Sequence, residues 1–526
     1  MYDVIIVGAG SAGCVLANRL TANPRMSVLL LEAGQPDNKP EITVPAAFAK
    51  LFRTDHDWNY DTVPQAYLNG RQLYTPRGKT LGGSSAINAM IYNRGHRYIY
   101  DQWAQLGNIG WGYDDLLPYF KRMENHANGP DDYHGVGGAL HVEDLRDPRP
   151  PTLAFVKAAQ QTGIPANPDF NGAHQLGVGL YAVTMKRGAR HSAATAYLKP
   201  ILHRPNLTVQ TEAHACRLQH DGQRFYAVEY QQGDTRQLVE AQREIILCGG
   251  ALNTPQLLML SGIGPAAHLQ ELGVDVLLDA PGVGNNLQDH LAAGVMHADR
   301  QKMSLATAET PGNIIKYLLA RVGPLTSNVA EAGAYIITNP QRPIPDIQYH
   351  FAPNFFLNHG FDNPPGHGFT LGGVLVTPSS RGTIRLQSTD PYAPPLIDPQ
   401  YVSDPDGLDM AALVESLKLA RQIIASPAMT PFRGDEVLPG PGVVDDDGLR
   451  DHIRNTSETL YHPVGTVKMG RSDDPQAVLD ASLRLRGVAG LRVVDASVMP
   501  IIPNGNTNAP VMAIAEKAAD MILSDF

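Results

Sequence analysis

His462 stands between Tyr461 and a Pro-Val-Gly turn in the stretch YHPVGTVKMG, and Asn506 lies in NGNTNAP, just ahead of the last helical pattern of the chain. An imidazole beside a carboxamide can accept a hydroxyl proton and hold the oxygen that proton leaves. An alcohol proton is too weakly acidic to depart unaided near neutral pH, and a positioned base contributes typically about 10²–10⁴-fold. Asn506 also precedes a helix N-terminus, whose partial positive charge suits an anion. By spacing alone, a hydrogen-bonded core histidine beside a turn is the better reading of His462, so the pair needs company before it means chemistry.

That company appears at the other end of the chain. Gly8, Gly10 and Gly13 form a GxGxxG run straight after the apolar stretch VIIV and at the start of a helical pattern. Such glycines permit a tight turn and close approach of a pyrophosphate to a helix N-terminus. Glu32 ends the next apolar run, VLLL, where a carboxylate can accept hydrogen bonds from a ribose. The motif does not separate NAD from FAD. A second glycine-rich stretch, PRGKTLGGSSAINAMIYNRGH at 76–96, helps to do so. Gly82, Gly83, Ser84 and Ser85 offer N–H groups and hydroxyls to a further length of ligand, and FAD carries a bulky ring system beyond its diphosphate. A reduced flavin is anionic at its pyrimidine edge, which the helix end after Asn506 would stabilise.

The elements that must position these residues are distributed along the chain. The opening reads strand, glycine turn, helix, strand, with continuous apolar runs suited to parallel strands buried on both faces. REIILCGGALNTPQLLMLSGIGP reads as a strand ending at Gly249 and a helix from about Asn253, and LRVVDASVMP with NAPVMAIAEKAADMIL as a closing strand and helix. Pro510 suits the first turn of that helix, where its missing N–H costs nothing. Between 300 and 455 the texture changes. DIQYHFAP, FTLGGVLVTP and GTIRLQS alternate as strands, and DGLDMAALVESLKLARQIIA is an amphipathic helix. The expected fold is an α/β Rossmann-like domain of discontinuous segments, 1–155, 202–292 and 456–526. An α+β domain, 156–201 and 293–455, would lay an antiparallel sheet over the cofactor. GNIIKYLLARVGPL reads as packed core in preference to an exposed loop that touches a membrane or a quinone.

With 526 residues and a formal charge of −10, and with no dominant basic block, nucleic acid is excluded as a partner. Cys14, Cys216 and Cys248 are sparse and lack metal-ligand spacing, which suits a reducing compartment, and no metal is expected. No basic leader precedes the first strand and no apolar run approaches the roughly 20 residues that span a bilayer, so a cytoplasmic protein is expected, with peripheral contact at the inner membrane face as a further option.

GKTLGGSSAINAMIY, GALNTPQLLMLSGIG, GVGNNLQDH, SRGTIRL, PPLIDPQY, YHPVGTVKMG and LRVVDASVMP occur in this order across nearly the whole chain. Together they resemble the glucose–methanol–choline (GMC) family of flavin oxidoreductases. The resemblance implies that His462 is the catalytic base, which reverses the reading from spacing, with Asn506 holding the substrate oxygen. It places FAD contacts at Ser11, Ala12 and Ala33 beside the glycine loop, at Asn88, Ala89 and Asn93 in the second stretch, and at Ala215. Asp495, Ala496, Asn506 and Thr507 complete the cofactor set. His350, Leu460 and Tyr461 fall on the substrate side. Some members bind flavin covalently through a histidine; the matching residue is Ile87, so FAD should be non-covalent.

Within the family the likeness is closest to bacterial dehydrogenases of aliphatic primary alcohols, then to choline dehydrogenases. Choline-oxidising members carry a carboxylate two residues after the histidine of NLQDH, where this chain has Ala292. A buried cation without a counter-charge is costly, which favours a neutral alcohol, although Glu331 could serve instead. Electrons would pass to a quinone or another acceptor, with O2 as the alternative. A light-driven decarboxylase is disfavoured because no cysteine follows Cys248. A redox-silent hydroxynitrile lyase stays open, as does the oligomeric state.

Overall fold

The computed structural model describes residues 1–525. The strand Tyr2–Val7 sits mid-sheet, parallel to Val28–Leu31 on one side and to the end of Thr235–Leu247 on the other, with Ile5 beside Leu29 and Ile245. Leu207–Gln210 extends this sheet beyond Val28–Leu31, and Leu491–Val493 pairs with the far edge of Thr235–Leu247. The parallel strands are apolar because both their faces are covered. Thr235–Leu247 is long enough to serve twice: its first half turns away to pair antiparallel with Phe225–Gln232, which pairs with Ala213–His220.

The helix Ser11–Leu20 packs beside the terminal helix Asn508–Ser524. Gly13 allows this helix to leave the first strand so sharply, since a Cβ there would lie 1.9 Å from the Gly8 carbonyl oxygen. Arg19 and Arg122 converge on the buried carboxylate of Glu516, tying the first and last helices through one acid. Pro510 falls in the first turn of the terminal helix, as expected. The helix after Gly249 begins at Gly250, three residues before the expected start.

The second sheet is antiparallel, in the order Arg433–Leu438, Leu291–Asp299, Gly368–Leu375, Ile347–Ala352, Ala332–Ile336, Gly177–Leu180. The two-residue strand Glu458–Thr459 joins Leu291–Asp299. Its side chains alternate cleanly. Leu291, Val295, Leu371, Tyr349 and Phe351 face a core closed by the helices Pro150–Gln161 and Leu408–Ala425. Ala292, Gly294, Gly372 and His350 face the opposite way, into a cavity.

Two readings differ from this structure. Thr383–Arg385 forms a separate hairpin with Leu396–Asp398, and its Ile384 and Ile397 pack into the core of the parallel sheet instead of joining the antiparallel one. The stretch GNIIKYLLARVGPL is not packed core: it forms the helix Pro311–Ala320, on which Leu318 is 67% and Leu319 83% exposed. Among the described residues no helix is long and apolar enough to cross a membrane.

Candidate active site

A cavity of about 370 Å³ runs between the two sheets. One end is backbone. Gly8 has φ +104°, and a Cβ on it would lie 2.5 Å from the Cys248 carbonyl oxygen; on Gly83 a Cβ would come 2.7 Å from Gly10 Cα. The second glycine stretch is thus laid directly on the first, with Gly82 N–H donating to the Ala9 carbonyl at 2.8 Å. Glu32 is buried, and its two oxygens accept from Ala9 N–H (2.9 Å) and Gly34 N–H (2.8 Å). Burial raises its pKa to about 7 against the pull of those donors, while the remaining lone pairs are free for a ligand hydroxyl. Gly10, Ser11, Ala12, Ala33, Ser84, Asn88, Ala89 and Ala215 line the same wall, and Asp495, Ala496 and Thr507 line it where the closing strand meets the terminal helix.

Three of the expected cofactor residues stand behind this wall instead of lining it. Gly82 is turned back by its bond to Ala9. Ser85 points inward, donating to the Gly82 carbonyl at 2.6 Å and accepting from Ala193 N–H at 3.0 Å. Asn93 is fully buried, accepts from Gly95 N–H at 2.8 Å, and packs against Gly505 beside the Asn506 loop. Gly82 and Ser85 tie the loops of the cradle together, and Asn93 keeps its buried Nδ2 without a partner. Gly13 also does not line the cavity, in keeping with its packing role.

The other end is built from side chains. His462 is buried; its Nδ1 lies 3.0 Å from His290 Nδ1 and its Nε2 lies 3.2 Å from Asn506 Nδ2. The Asn506 Oδ1 accepts from Gln348 Nε2 at 3.2 Å, and Gln348 also meets the Tyr181 hydroxyl at 3.1 Å, so the amide is turned with its NH₂ toward His462. The imidazole positions rest on Asp289. Its Oδ1 accepts the backbone N–H groups of His290 (2.9 Å) and His462 (2.8 Å), and its Oδ2 accepts from Tyr401 and Thr459, each at 2.5 Å. Tyr461 has φ +71°, the backbone bend that brings His462 into line.

Burial, followed by the nearby His290, His350 and Arg77, holds the His462 pKa well below its ordinary value, and burial pushes His290 and His350 down to about 3. All three rings are therefore neutral at pH 7. His350 lines the cavity with its Nε2 unpartnered. Leu460 and Tyr461 line it as well, among Phe48, Phe52, Ile87, Val329 and Phe356, so the chamber beside the histidines is apolar.

Sequence reasoning missed Asp289, His290 and Gln348. The first two belong to the GVGNNLQDH block, whose place beside His462 depends on the fold. Gln348 had a signal: in IQYHF it shares a strand face with His350. Glu331, offered as a counter-charge for a cationic substrate, is corrected by the structure. It is fully buried away from the cavity, accepting from Arg149 N–H (2.8 Å), Thr152 Oγ1 (2.5 Å) and Ser327 Oγ (2.6 Å). Ala292 lies opposite Glu458, which does line the cavity, but burial raises that carboxyl to about 7 and it already accepts from His359 N–H at 3.0 Å.

Glu124, His126 and His134 bring ligand atoms within 4.8 Å of one another. His134, though, spends both ring nitrogens on Glu124 and Asp169, each at 3.0 Å, and Arg94 bonds Glu124 at 2.8 Å. Against its burial, those carboxylates hold His134 up at about 9. This cluster is an ion-paired strut with its cations already in place.

Comparison with known proteins agrees with this architecture. The family model described as GMC oxidoreductase matches residues 2–292 in its N-terminal part and 378–515 in its C-terminal part. The chain is 46% identical over 532 residues to an alcohol dehydrogenase [acceptor] of Pseudomonas putida, covering 99% of this chain and 96% of the relative. It is 42% identical over 526 residues to an oxygen-dependent choline dehydrogenase of Brucella suis biovar 1, covering 99% and 95%. The crystal structure of pyridoxine 4-oxidase from Mesorbium loti superposes with a TM-score of 0.91 at 35% identity, covering 100% of this chain and 99% of that one. A glycine cradle and a buried histidine–asparagine pair thus share one cavity in a chain that belongs to the GMC oxidoreductase family.

Proposed function

We propose that this protein oxidises a neutral, apolar primary alcohol to the aldehyde with non-covalently bound FAD, and delivers the electrons to a quinone or similar acceptor. The observation that carries this reading is that the His462–Asn506 pair and the Gly8–Glu32 cradle line one continuous cavity. The residues fit FAD. Glycines stand where any Cβ would strike backbone, and Glu32 retains acceptor capacity at the same end. Residue 87, an isoleucine in the wall, has no nucleophile for a covalent link. FAD, when bound, supplies a hydride acceptor.

The chain's own part is proton handling and placement. Asn506 directs its amide hydrogen at His462 Nε2, so that nitrogen is the unprotonated one and His462 carries its proton on Nδ1. His290 Nδ1 accepts that proton, which leaves the proton of His290 on its Nε2, buried and without a partner. The two histidines and the amide thus fix one tautomer. A bound alcohol displaces the Asn506 amide from His462 Nε2, so that its hydroxyl gives its proton to that nitrogen and Asn506 Nδ2 donates to the alcohol oxygen as charge develops there. His350, unpartnered at Nε2, gives that oxygen a second polar neighbour. Phe48, Phe52, Phe356 and Tyr461 exclude water and grip an apolar chain. Among the described residues, Glu458 is the carboxylate that lines this side, and it is only partly ionised, which supports a neutral alcohol over choline.

The test is anaerobic mixing of the purified yellow protein with 1-hexanol, benzyl alcohol and choline in turn, following the flavin band near ~450 nm. Bleaching by a neutral alcohol is expected, with slow return of colour in air and fast return with a quinone. Rapid return in air would make it an oxidase. Bleaching by choline alone would overturn the neutral-substrate reading, and no bleaching by any alcohol would point to a redox-silent lyase.

A further inference from the structure

We infer that the helix Pro311–Ala320 is a monotopic docking surface for an anionic lipid bilayer, placed beside the apolar end of the cavity. The helix is amphipathic the wrong way round for a globular protein. At about 100° per residue, Ile314, Ile315, Leu318 and Leu319 share one arc. They are 40%, 56%, 67% and 83% exposed, and Val322, just past the helix end, is 43% exposed. The anchor to the body is Tyr317, 2% exposed, which packs with Leu305, Ala308 and Leu325. A contiguous exposed aliphatic stripe of this kind marks an interaction surface.

Charge selects the occupant. The chain carries a formal −10, yet between residues 300 and 323 there are four bases, Arg300, Lys302, Lys316 and Arg321, against the single acid Glu309. Glu309 is taken up by Lys50. Lys302 and Lys316 are exposed, and among the described residues neither has a carboxylate within ion-pair reach. Exposed aliphatic side chains with an unpaired lysine on the same helix are the composition that seats a helix in the headgroup region of an anionic membrane. A second copy of the chain is a poorer match, since a two-fold contact would set these bases against themselves. The site also has a purpose there. Val329 packs against the Tyr317 cluster and lines the cavity beside Phe48 and Phe52, so one layer of side chains separates the helix from the substrate chamber. A docked protein would hold that chamber at the level where apolar alcohols and quinones concentrate.

The inference stands apart from the alcohol assignment and is tested without it. The holoenzyme is floated on a density gradient with vesicles of phosphatidylcholine and phosphatidylglycerol in equal parts, and with phosphatidylcholine alone. Flotation with the anionic vesicles, weakened by high salt, is expected. Leu318→Asp with Leu319→Asp should lower partition by about tenfold or more while flavin content and melting temperature in vesicle-free buffer stay unchanged. Lys302→Glu with Lys316→Glu should lower it about tenfold for the anionic vesicles alone. Wild type that floats with neither vesicle, or aspartate variants that float as well as wild type, would overturn the proposal. So would light scattering showing a wild-type dimer that the aspartates convert to monomer, because a second copy would then cover the helix.

Discussion

The two ends of the cavity are made in opposite ways. The cradle end is main chain: Gly8 and Gly83 matter for the side chains they lack, and its donors are N–H groups fixed by the parallel sheet. The histidine end is side chain, assembled from residues 289–290, 348–350, 462 and 506, which meet only after both sheets have formed. Damage to the first should act through folding and cofactor retention, damage to the second through chemistry alone.

The largest effect belongs to the helix packing that carries the cradle. Gly13→Val would drive a side chain into the Gly8 carbonyl, 1.9 Å from the new Cβ, and should abolish recovery of folded yellow protein. A normal flavin-to-protein absorbance ratio in that variant would break the contrast. Next, His462→Ala should keep its flavin and lose about 10²–10⁴-fold in the rate of alcohol-driven bleaching. Turnover within a few-fold of wild type would remove His462 from its role.

His290 sharpens the distinction between a base and its support. His290→Ala should cost roughly 10–100-fold in kcat with little change in KM, because His462 loses the acceptor that fixes its tautomer. His290→Gln, whose amide oxygen can accept the same proton, should recover part of the loss. Equal deficits in both variants would reduce His290 to packing.

The depressed histidines give a pH signature for this end. His462 is already neutral well below pH 6.5, so its protonation should lower the rate of flavin reduction only in more acid solution, and a loss of rate on acidification to pH 6.5 that Glu458→Gln leaves in place would contradict a neutral His462. Stability moves in the same direction. His290 and His350 titrate at about 3 when folded and at their ordinary 6.5 when unfolded, so the unfolded chain binds more protons as pH falls below 6.5. Melting temperature should therefore decline from pH 6.5 toward 4; a rise over that interval would contradict neutral buried rings. The smallest effect is in specificity. Ala292→Glu, beside Glu458, should move the preference between 1-hexanol and choline by a few-fold toward choline.

The same contrast explains what the sequence disclosed. The cradle was legible because a turn, a helix start and a buried acid must follow one another within about 25 residues. The fold class was legible from strand texture, since continuous apolar runs and alternating ones report burial on two faces or one. His462 and Asn506 were legible as a pair mainly through the family likeness. Asp289 and His290 lay inside a quoted block, but contact across 172 residues leaves no local pattern. The hairpin at 383–398 shows a related limit: Thr383–Arg385 has strand character, and nothing in it says which sheet's core it will cover. With Pro311–Ala320 the hydrophobicity was plain, while the direction the apolar face takes is settled by Tyr317 packing on the opposite side.

Asp289 holds both histidines through their main-chain N–H groups. A clamp on backbone is indifferent to the side chains around it. A cavity-facing position on the strand that follows, Ala292, can therefore vary to admit new substrates while the imidazoles keep their geometry. The catalytic centre and the substrate chamber are in this sense separately editable, and a redesign of the chamber can leave residues 289, 290 and 462 alone.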